Sequence, residues 1–115
     1  MAVEYAEQRS FPRYPCDTGV LINGSLWGTL SDISIGGCYI YTFSPLGVGQ
    51  DVVLEIKASG KEIKVAGKTV SSHPGVGMGV AFSQFRNEDG EQILKGYIAH
   101  LASQPKPKQG LELKS

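Results

Sequence analysis

Residues 19–42, GVLINGSLWGTLSDISIGGCYIYT, decide the fold of this chain of 115 residues. Residues 20–22 and 26–30 are short strand-forming runs separated by Asn23-Gly24, a dipeptide typical of a tight β-hairpin. Residues 31–37 have the composition of a second turn region, and residues 38–42 are again aromatic and β-branched. This stretch therefore predicts antiparallel strands joined by two turns.

Three more strands are predicted after residue 42. Residues 52–56 form the first, and Ala58-Ser-Gly60 turns the chain into the second. In the second, Ile63, Val65 and Gly67 share one face while Lys64 and Lys68 share the other, the period-two pattern of a half-solvated sheet. His73-Pro-Gly75 ends it, and residues 76–82 form the last strand. Alternate glycines there, Gly77 and Gly79, indicate a bulge or a close backbone contact.

An amphipathic helix is predicted after the last strand. Asn87 is placed to cap it, and Glu88 and Asp89 in the first turn would complement the helix dipole. Its apolar stripe consists of Leu94, Tyr97, Ile98 and Leu101. We predict an all-β domain with one helix, a six-stranded antiparallel β-barrel followed by a C-terminal amphipathic α-helix. Strand pattern alone fits an OB-type or another small barrel equally well.

Composition limits the classes of function. The length supports one domain, and an apolar content of 41% is ordinary for a soluble globular protein. Lys plus Arg and Asp plus Glu number 11 each, so the general basic field of a nucleic-acid-binding protein is absent. Only Arg9, Arg13 and Arg86 are arginines, and two of them lie within five residues, which indicates a local need for planar, forked donors.

Two short motifs carry the candidate chemistry. The first is Arg9-x-x-x-Arg13 and the second is Asp32-x-Ser34-x-x-Gly37. Arginine offers planar, forked donors for a phosphate or for a purine edge. A carboxylate accepts from amide donors, a hydroxyl both donates and accepts, and glycines leave bare backbone for a close approach. Each motif alone is more often an ion-paired surface or a turn cap than a binding site.

The order and spacing of the two motifs, with the glycine-rich last strand, resemble those of the PilZ domain family, bacterial receptors for cyclic di-GMP. The resemblance extends from about residue 9 to residue 82 and includes the helix that follows. It implies a PilZ-like barrel and a ligand site in which the two arginines take a phosphate or a guanine edge. Many family members carry another arginine where this chain has Gln8. The residues that the resemblance implies as ligand-binding are Arg9, Arg13, Asp32, Ser34, Gly36 and Gly37, with Gln8, Gly77 and Gly79 as further candidates.

The remaining features predict little additional chemistry. Residues 1–8 are expected to be a flexible arm, residues 9–102 the PilZ-like domain, and residues 103–115 a disordered tail. The start of the chain has no leader-like pattern and no apolar run is long enough to span a bilayer, so a cytoplasmic location is expected. Cys16 and Cys38 are then expected to be reduced thiols, and the scattered His and Cys residues predict neither a metal site nor a catalytic triad.

The resulting hypothesis is a non-catalytic cyclic di-GMP receptor without a cofactor. It would signal in trans to a downstream protein when ligand binding orders the arginine arm on the barrel. The competing hypothesis is a ligand-independent protein adaptor in motility or polysaccharide export.

Overall fold

The structure is a computed structural model that describes residues 11–104. Within this range it contains seven strands and one helix. They are β1 (Tyr14–Pro15), β2 (Gly19–Ile22), β3 (Leu26–Ile33), β4 (Gly37–Tyr41), β5 (Asp51–Ala58), β6 (Lys61–His73), β7 (Gly77–Phe85) and α1 (Gly90–Ala102). The predicted N-terminal arm, Gln8, Arg9 and residues 105–115 of the predicted tail lie outside the described residues.

Six of the strands form a closed antiparallel barrel, which confirms the predicted fold class. The strands follow the order β3, β2, β5, β6, β7, β4, and β4 pairs again with β3. Closure removes the exposed sheet edges that an open sheet of this size would present. A seventh strand, β1, pairs with the end of β3, with Tyr14 opposite Ile33 and Pro15 opposite Asp32. The sequence did not predict this strand, because proline at its second position breaks the usual strand pattern.

Buried and exposed residues alternate along the strands, and the buried ones form a core inside the barrel. In β6, Ile63, Val65 and Gly67 are buried while Lys64 and Lys68 are exposed, as predicted. Every strand from β2 to β7 contributes buried side chains to one core cluster, and Leu94 of α1 joins it. Tyr97, Ile98 and Leu101 pack partly buried against this cluster, so the predicted apolar stripe of the helix is confirmed. The helix packs on β6, with further contacts to β1 and β5.

The Asn23-Gly24 turn matches its prediction. Both residues have positive φ, 52° and 76°, which is the backbone of a type I′ hairpin turn. Ser59 and Gly60 repeat this geometry between β5 and β6, with φ of 55° and 79°. Asn23 also accepts a hydrogen bond from the Val53 amide at 2.9 Å, so its side chain ties the first hairpin to β5.

The predicted cap of the helix was wrong. The helix begins after Asp89, which makes no side-chain capping bond, and the acidic residue in the first turn is Glu91. Asn87 instead binds the start of β6. Its side-chain oxygen accepts from the Lys64 amide at 3.0 Å, and its amide nitrogen donates to the Glu62 carbonyl at 2.8 Å. An asparagine side chain offers a donor and an acceptor together, so it satisfies a strand edge as readily as a helix end.

Both cysteines are free thiols, as expected. Cys38 is fully buried in the barrel. Cys16 is half-buried near Tyr97, and burial is the main cause that raises its pKa to about 11, with the nearby Asp32 and Asp17 carboxylates adding to the effect. Burial raises the pKa of Cys38 further. Both groups are therefore protonated at neutral pH.

Asn87→Ala tests the link between the β7–α1 loop and β6. Because it removes two hydrogen bonds to backbone groups, we expect it to lower the free energy of unfolding by about 1–2 kcal/mol. Urea denaturation followed by circular dichroism measures this loss. The exposed neighbour Glu88, changed to alanine, serves as the control. Equal stability of the two variants would contradict the bridging role.

The cysteine pKa values predict a loss of stability in alkali. An unfolded cysteine titrates near 9.0, whereas folded Cys16 titrates near 11, so the folded state favours the thiol. This contribution is complete below about pH 9 and is lost as the pH rises toward 11. Urea midpoints measured from pH 7.5 to pH 10.5 are expected to fall less in Cys16→Ala than in the wild type. Parallel curves would contradict the assignment.

Candidate ligand-binding face

The turn between β3 and β4 is built around Ser34. The sequence predicted a turn over residues 31–37, but β3 continues to Ile33 and the turn is confined to the next few residues. The Ser34 amide donates to the Gly37 carbonyl at 2.8 Å. The Ser34 hydroxyl oxygen accepts from the amides of Gly36 and Gly37 at 3.1 Å each. Ser34 is completely buried, so its side chain holds the turn from inside.

The same turn is fastened to β7. The Gly36 carbonyl accepts from the Phe82 amide at 2.9 Å, and Gly37 lies opposite Ala81 in the β4–β7 ladder. The tip residue Ile35 is partly exposed. The serine and the glycines of the motif thus fix the position of β4 between β3 and β7.

Asp32 lies on the outer face of β3 and forms an ion pair with Arg13. The Arg13 Nε donates to Asp32 Oδ1 at 2.9 Å, and an Nη lies 2.8 Å from the same oxygen. About a third of each side chain is exposed, 36% for Arg13 and 30% for Asp32. A β-bulge between Leu30 and Asp32 shifts the β3–β4 register at this point, which places Asp32 opposite Tyr39. Arg13 of the first motif and Asp32 of the second motif therefore meet at one point on the barrel surface.

Gly77 and Gly79 lie under the ring of Tyr39, the residue that pairs with Asp32. Tyr39 pairs with Gly79, and Tyr41 pairs with Gly77. A β-carbon added at Gly77 would lie 2.8 Å from Tyr39 Cε2, and one added at Gly79 would lie 2.6 Å from the Ser71 hydroxyl and 3.7 Å from Tyr39 Cδ1. The close contact predicted for these alternate glycines is thus present.

The sequence analysis missed Tyr39 and His73 as members of this face. The Tyr39 hydroxyl and His73 Nδ1 are 2.8 Å apart and share a hydrogen bond, and their rings lie 6.0 Å apart. Tyr41 stands nearly perpendicular to Tyr39, at 78° and 5.9 Å between ring centroids. Burial, followed by the effects of Tyr41 and Asp32, raises the pKa of Tyr39, so its phenol is neutral at neutral pH. The cross-strand position of Tyr39 opposite Asp32 depends on the bulge, which the sequence pattern does not show.

The described residues contain two grooves away from this face, but they contain no group of side chains suited to hold a metal ion. No group of three His, Cys, Asp or Glu side chains within residues 11–104 is placed to hold a metal ion. A groove of about 580 Å³ lies between α1 and residues 15–17, and one of about 470 Å³ lies between Ile35, Phe82 and the start of α1. Neither groove includes Arg13 or Asp32. In residues 11–104 no helix is long and apolar enough to cross a membrane.

Comparison with known proteins assigns the fold family. The family model of the PilZ domain matches residues 7–100. The chain belongs to the PilZ domain family. This match covers both arginines and the whole of the face described above, and it confirms the resemblance seen in the sequence.

Two solved structures show the same fold. The inhibitor of motility MotI/DgrA of Bacillus subtilis superposes with a TM-score of 0.65 at 16% identity, over 84% of this chain and 52% of that one. The PilZ domain of CeSA from a cellulose-synthesizing bacterium superposes with a TM-score of 0.58 at 18% identity, over 77% of this chain and 97% of that one. The chain thus spans about half the length of the MotI/DgrA structure. A search of curated protein sequences found no significant match.

The PilZ motif residues divide into two groups in the structure. Arg13 and Asp32 present polar groups on the surface, whereas Ser34 and Gly37 are buried and shape the turn beneath them. Gly36 is partly exposed, and Gly77 and Gly79 lie under Tyr39. Ligand contact by each of these residues stays a prediction.

Ser34→Ala tests the buried hydroxyl of the turn. It leaves two backbone amides without their acceptor, so we expect the free energy of unfolding to fall by about 1–3 kcal/mol. Urea denaturation measures the change. The control is Ser25→Ala in the exposed first hairpin, which is expected to stay within about 0.5 kcal/mol of the wild type. A Ser34→Ala protein as stable as this control would show that the turn forms without the hydroxyl.

Proposed function

We propose that this PilZ domain is a non-catalytic receptor for cyclic di-GMP that signals to a separate partner protein. The observation that carries the proposal is the Arg13–Asp32 ion pair on the outer face of β3. It places a forked cation and a carboxylate side by side, next to glycines and a flat aromatic ring. Cyclic di-GMP carries matching groups, since its phosphates and guanine O6 and N7 accept from arginine and its guanine N1 and N2 donate to a carboxylate.

The geometry of the ion pair is compatible with ligand binding. Arg13 uses its Nε and one Nη toward a single oxygen of Asp32. A guanidinium held along one edge can still present its other edge to a phosphate or a guanine. The neutral Tyr39 phenol nearby adds no negative charge to repel a phosphate. In this proposal Arg13 and Asp32 contact the ligand, Ser34 and Gly37 hold the turn in shape, and Arg9 and Gln8 supply contacts from the arm.

The signal in this proposal is the ordering of the N-terminal segment by the ligand. Arg13 lies one residue before β1, so a ligand that binds Arg13 and Arg9 together would fix the chain leading into the barrel. A change in the surface of this segment is what a partner would detect. The cytoplasm remains the compartment predicted from the sequence.

The second candidate is a protein adaptor that does not need the ligand. It is favoured by one observation, namely that Arg13 and Asp32 satisfy each other as an ion pair and so have a structural use of their own. One similar structure is that of an inhibitor of motility, and another is the PilZ domain of CeSA from a cellulose-synthesizing bacterium. An adaptor role in motility or polysaccharide export is therefore the alternative to be tested.

Calorimetric titration with cyclic di-GMP separates the two candidates. The receptor is expected to show saturable binding, no heat with GTP, and a roughly ten- to hundredfold loss of affinity in Arg13→Ala, because a charge-assisted hydrogen bond is removed. Arg86→Ala is the matched control, since Arg86 is an exposed arginine just after the end of β7 that lies away from Gly77 and Gly79. It is expected to bind like the wild type.

Failure of the wild type to bind would reject the receptor and leave the adaptor. Equal losses in Arg13→Ala and Arg86→Ala would show that general charge, rather than the site, controls binding. The molar ratio at saturation gives the number of ligands bound per chain.

A further inference from the structure

The Tyr39 ring lies flat on the barrel surface. Its Cε2 approaches the position of Gly77 and its Cδ1 approaches that of Gly79, so diagonal atoms of one ring rest over two glycines of β7. The hydroxyl extends to His73, which is the cross-strand neighbour of Gly77 on β6. A ring placed across strands in this way presents its opposite face outward.

The ring is held in place from two sides. The hydrogen bond to His73 fixes the hydroxyl end, and the Tyr41 ring lies next to Tyr39 with 5.9 Å between the two ring centroids. Tyr41 itself is 52% exposed and stands nearly perpendicular to Tyr39. Tyr39 and Tyr41 thus form the floor and the wall of a shallow step on the outer surface.

This step adjoins the ion pair. Tyr39 is the direct cross-strand partner of Asp32, and such partners have β-carbons roughly 5 Å apart. A planar base whose edge reaches Asp32 or Arg13 is therefore close enough to place its ring over Tyr39. The glycines beneath keep the tyrosine low enough for a base to lie above it without meeting a side chain from β7.

From this arrangement we infer that Tyr39 is a stacking platform for one guanine base of the ligand, with His73 as the residue that positions it. The inference rests on the proposed function, because it assigns a subsite within the same face. Stacking on an aromatic ring recognises the face of a base rather than its edge, so Tyr39 contributes affinity while Arg13 and Asp32 contribute the choice of base.

Titration of Tyr39 variants with cyclic di-GMP tests the inference. Tyr39→Leu removes the aromatic face and is expected to weaken binding about tenfold or more, the usual effect of losing a base-stacking ring. Tyr39→Phe keeps the face and is expected to bind within about threefold of the wild type. The control is Trp27→Leu, which removes another exposed aromatic side chain of the barrel, five residues from Asp32 along β3, and is expected to leave affinity unchanged.

A spectroscopic measurement covers the case in which Tyr39→Leu is poorly folded. In protein labelled with 13C at the tyrosine ε positions, the Tyr39 signal is identified by its absence from the Tyr39→Phe spectrum. Saturating cyclic di-GMP is expected to shift this signal upfield through the ring current of the base above it, and to shift Tyr97, which packs at the helix, far less.

The outcomes separate this inference from the proposed function. Absence of wild-type binding rejects the proposed function itself. Wild-type binding with an unshifted Tyr39 signal, or with equal affinity in folded Tyr39→Leu, overturns only the stacking platform and shows that Tyr39 merely covers the glycines. His73→Ala keeps the aromatic face of Tyr39, whereas Tyr39→Leu removes it. The inference therefore requires that His73→Ala lose less affinity than Tyr39→Leu.

Discussion

The pairing of β3 with β4 is the constraint on which the rest of the structure depends. Without it the six strands would form an open sheet with two free edges, because the order of the other pairs runs from β3 through β2, β5, β6 and β7 to β4. The pairing rests on a short turn held by the buried Ser34 hydroxyl. One hydroxyl that accepts hydrogen bonds from two backbone amides therefore helps to close the barrel. Asp32 lies on β3, two residues before Ser34, so the site is next to the turn on which closure depends.

The fold was predictable because its local signals agree with its topology. Asn23-Gly24 specified a type I′ turn, and the alternation of β6 specified which of its residues enter the core. Other details depended on contacts between distant parts of the chain. Asn87 has the composition of a helix cap, yet it bonds to Glu62 and Lys64, which lie more than twenty residues earlier. No local pattern distinguishes these two uses of an asparagine.

The site was predictable only in part, for a related reason. Arg13 and Asp32 were predicted to act together, and the structure joins them in an ion pair 19 residues apart in sequence. Tyr39 was not predicted, because a tyrosine in a strand is ordinarily read as a packing residue. Its position opposite Asp32 follows from the bulge after Leu30, and its flat setting follows from the glycines of a strand nearly forty residues later. Both features depend on how β4 is aligned with β3 and with β7, and the sequence of a single strand does not specify that alignment.

The described part of the site is held before any ligand arrives, and this has consequences for affinity. Asp32 and Tyr39 lie on strands paired on both sides, and Arg13 is tied to the barrel by its ion pair and by the β1 pairing that begins at the next residue. Groups already held in place lose little conformational entropy on binding, so more of their contact energy contributes to affinity. The Arg13–Asp32 pair has the opposite effect if the ligand must separate it, since the attraction between the two side chains then competes with the ligand. A ligand that adds to the free edge of the guanidinium avoids that competition, because it keeps the ion pair and gains from the order that the pair already imposes.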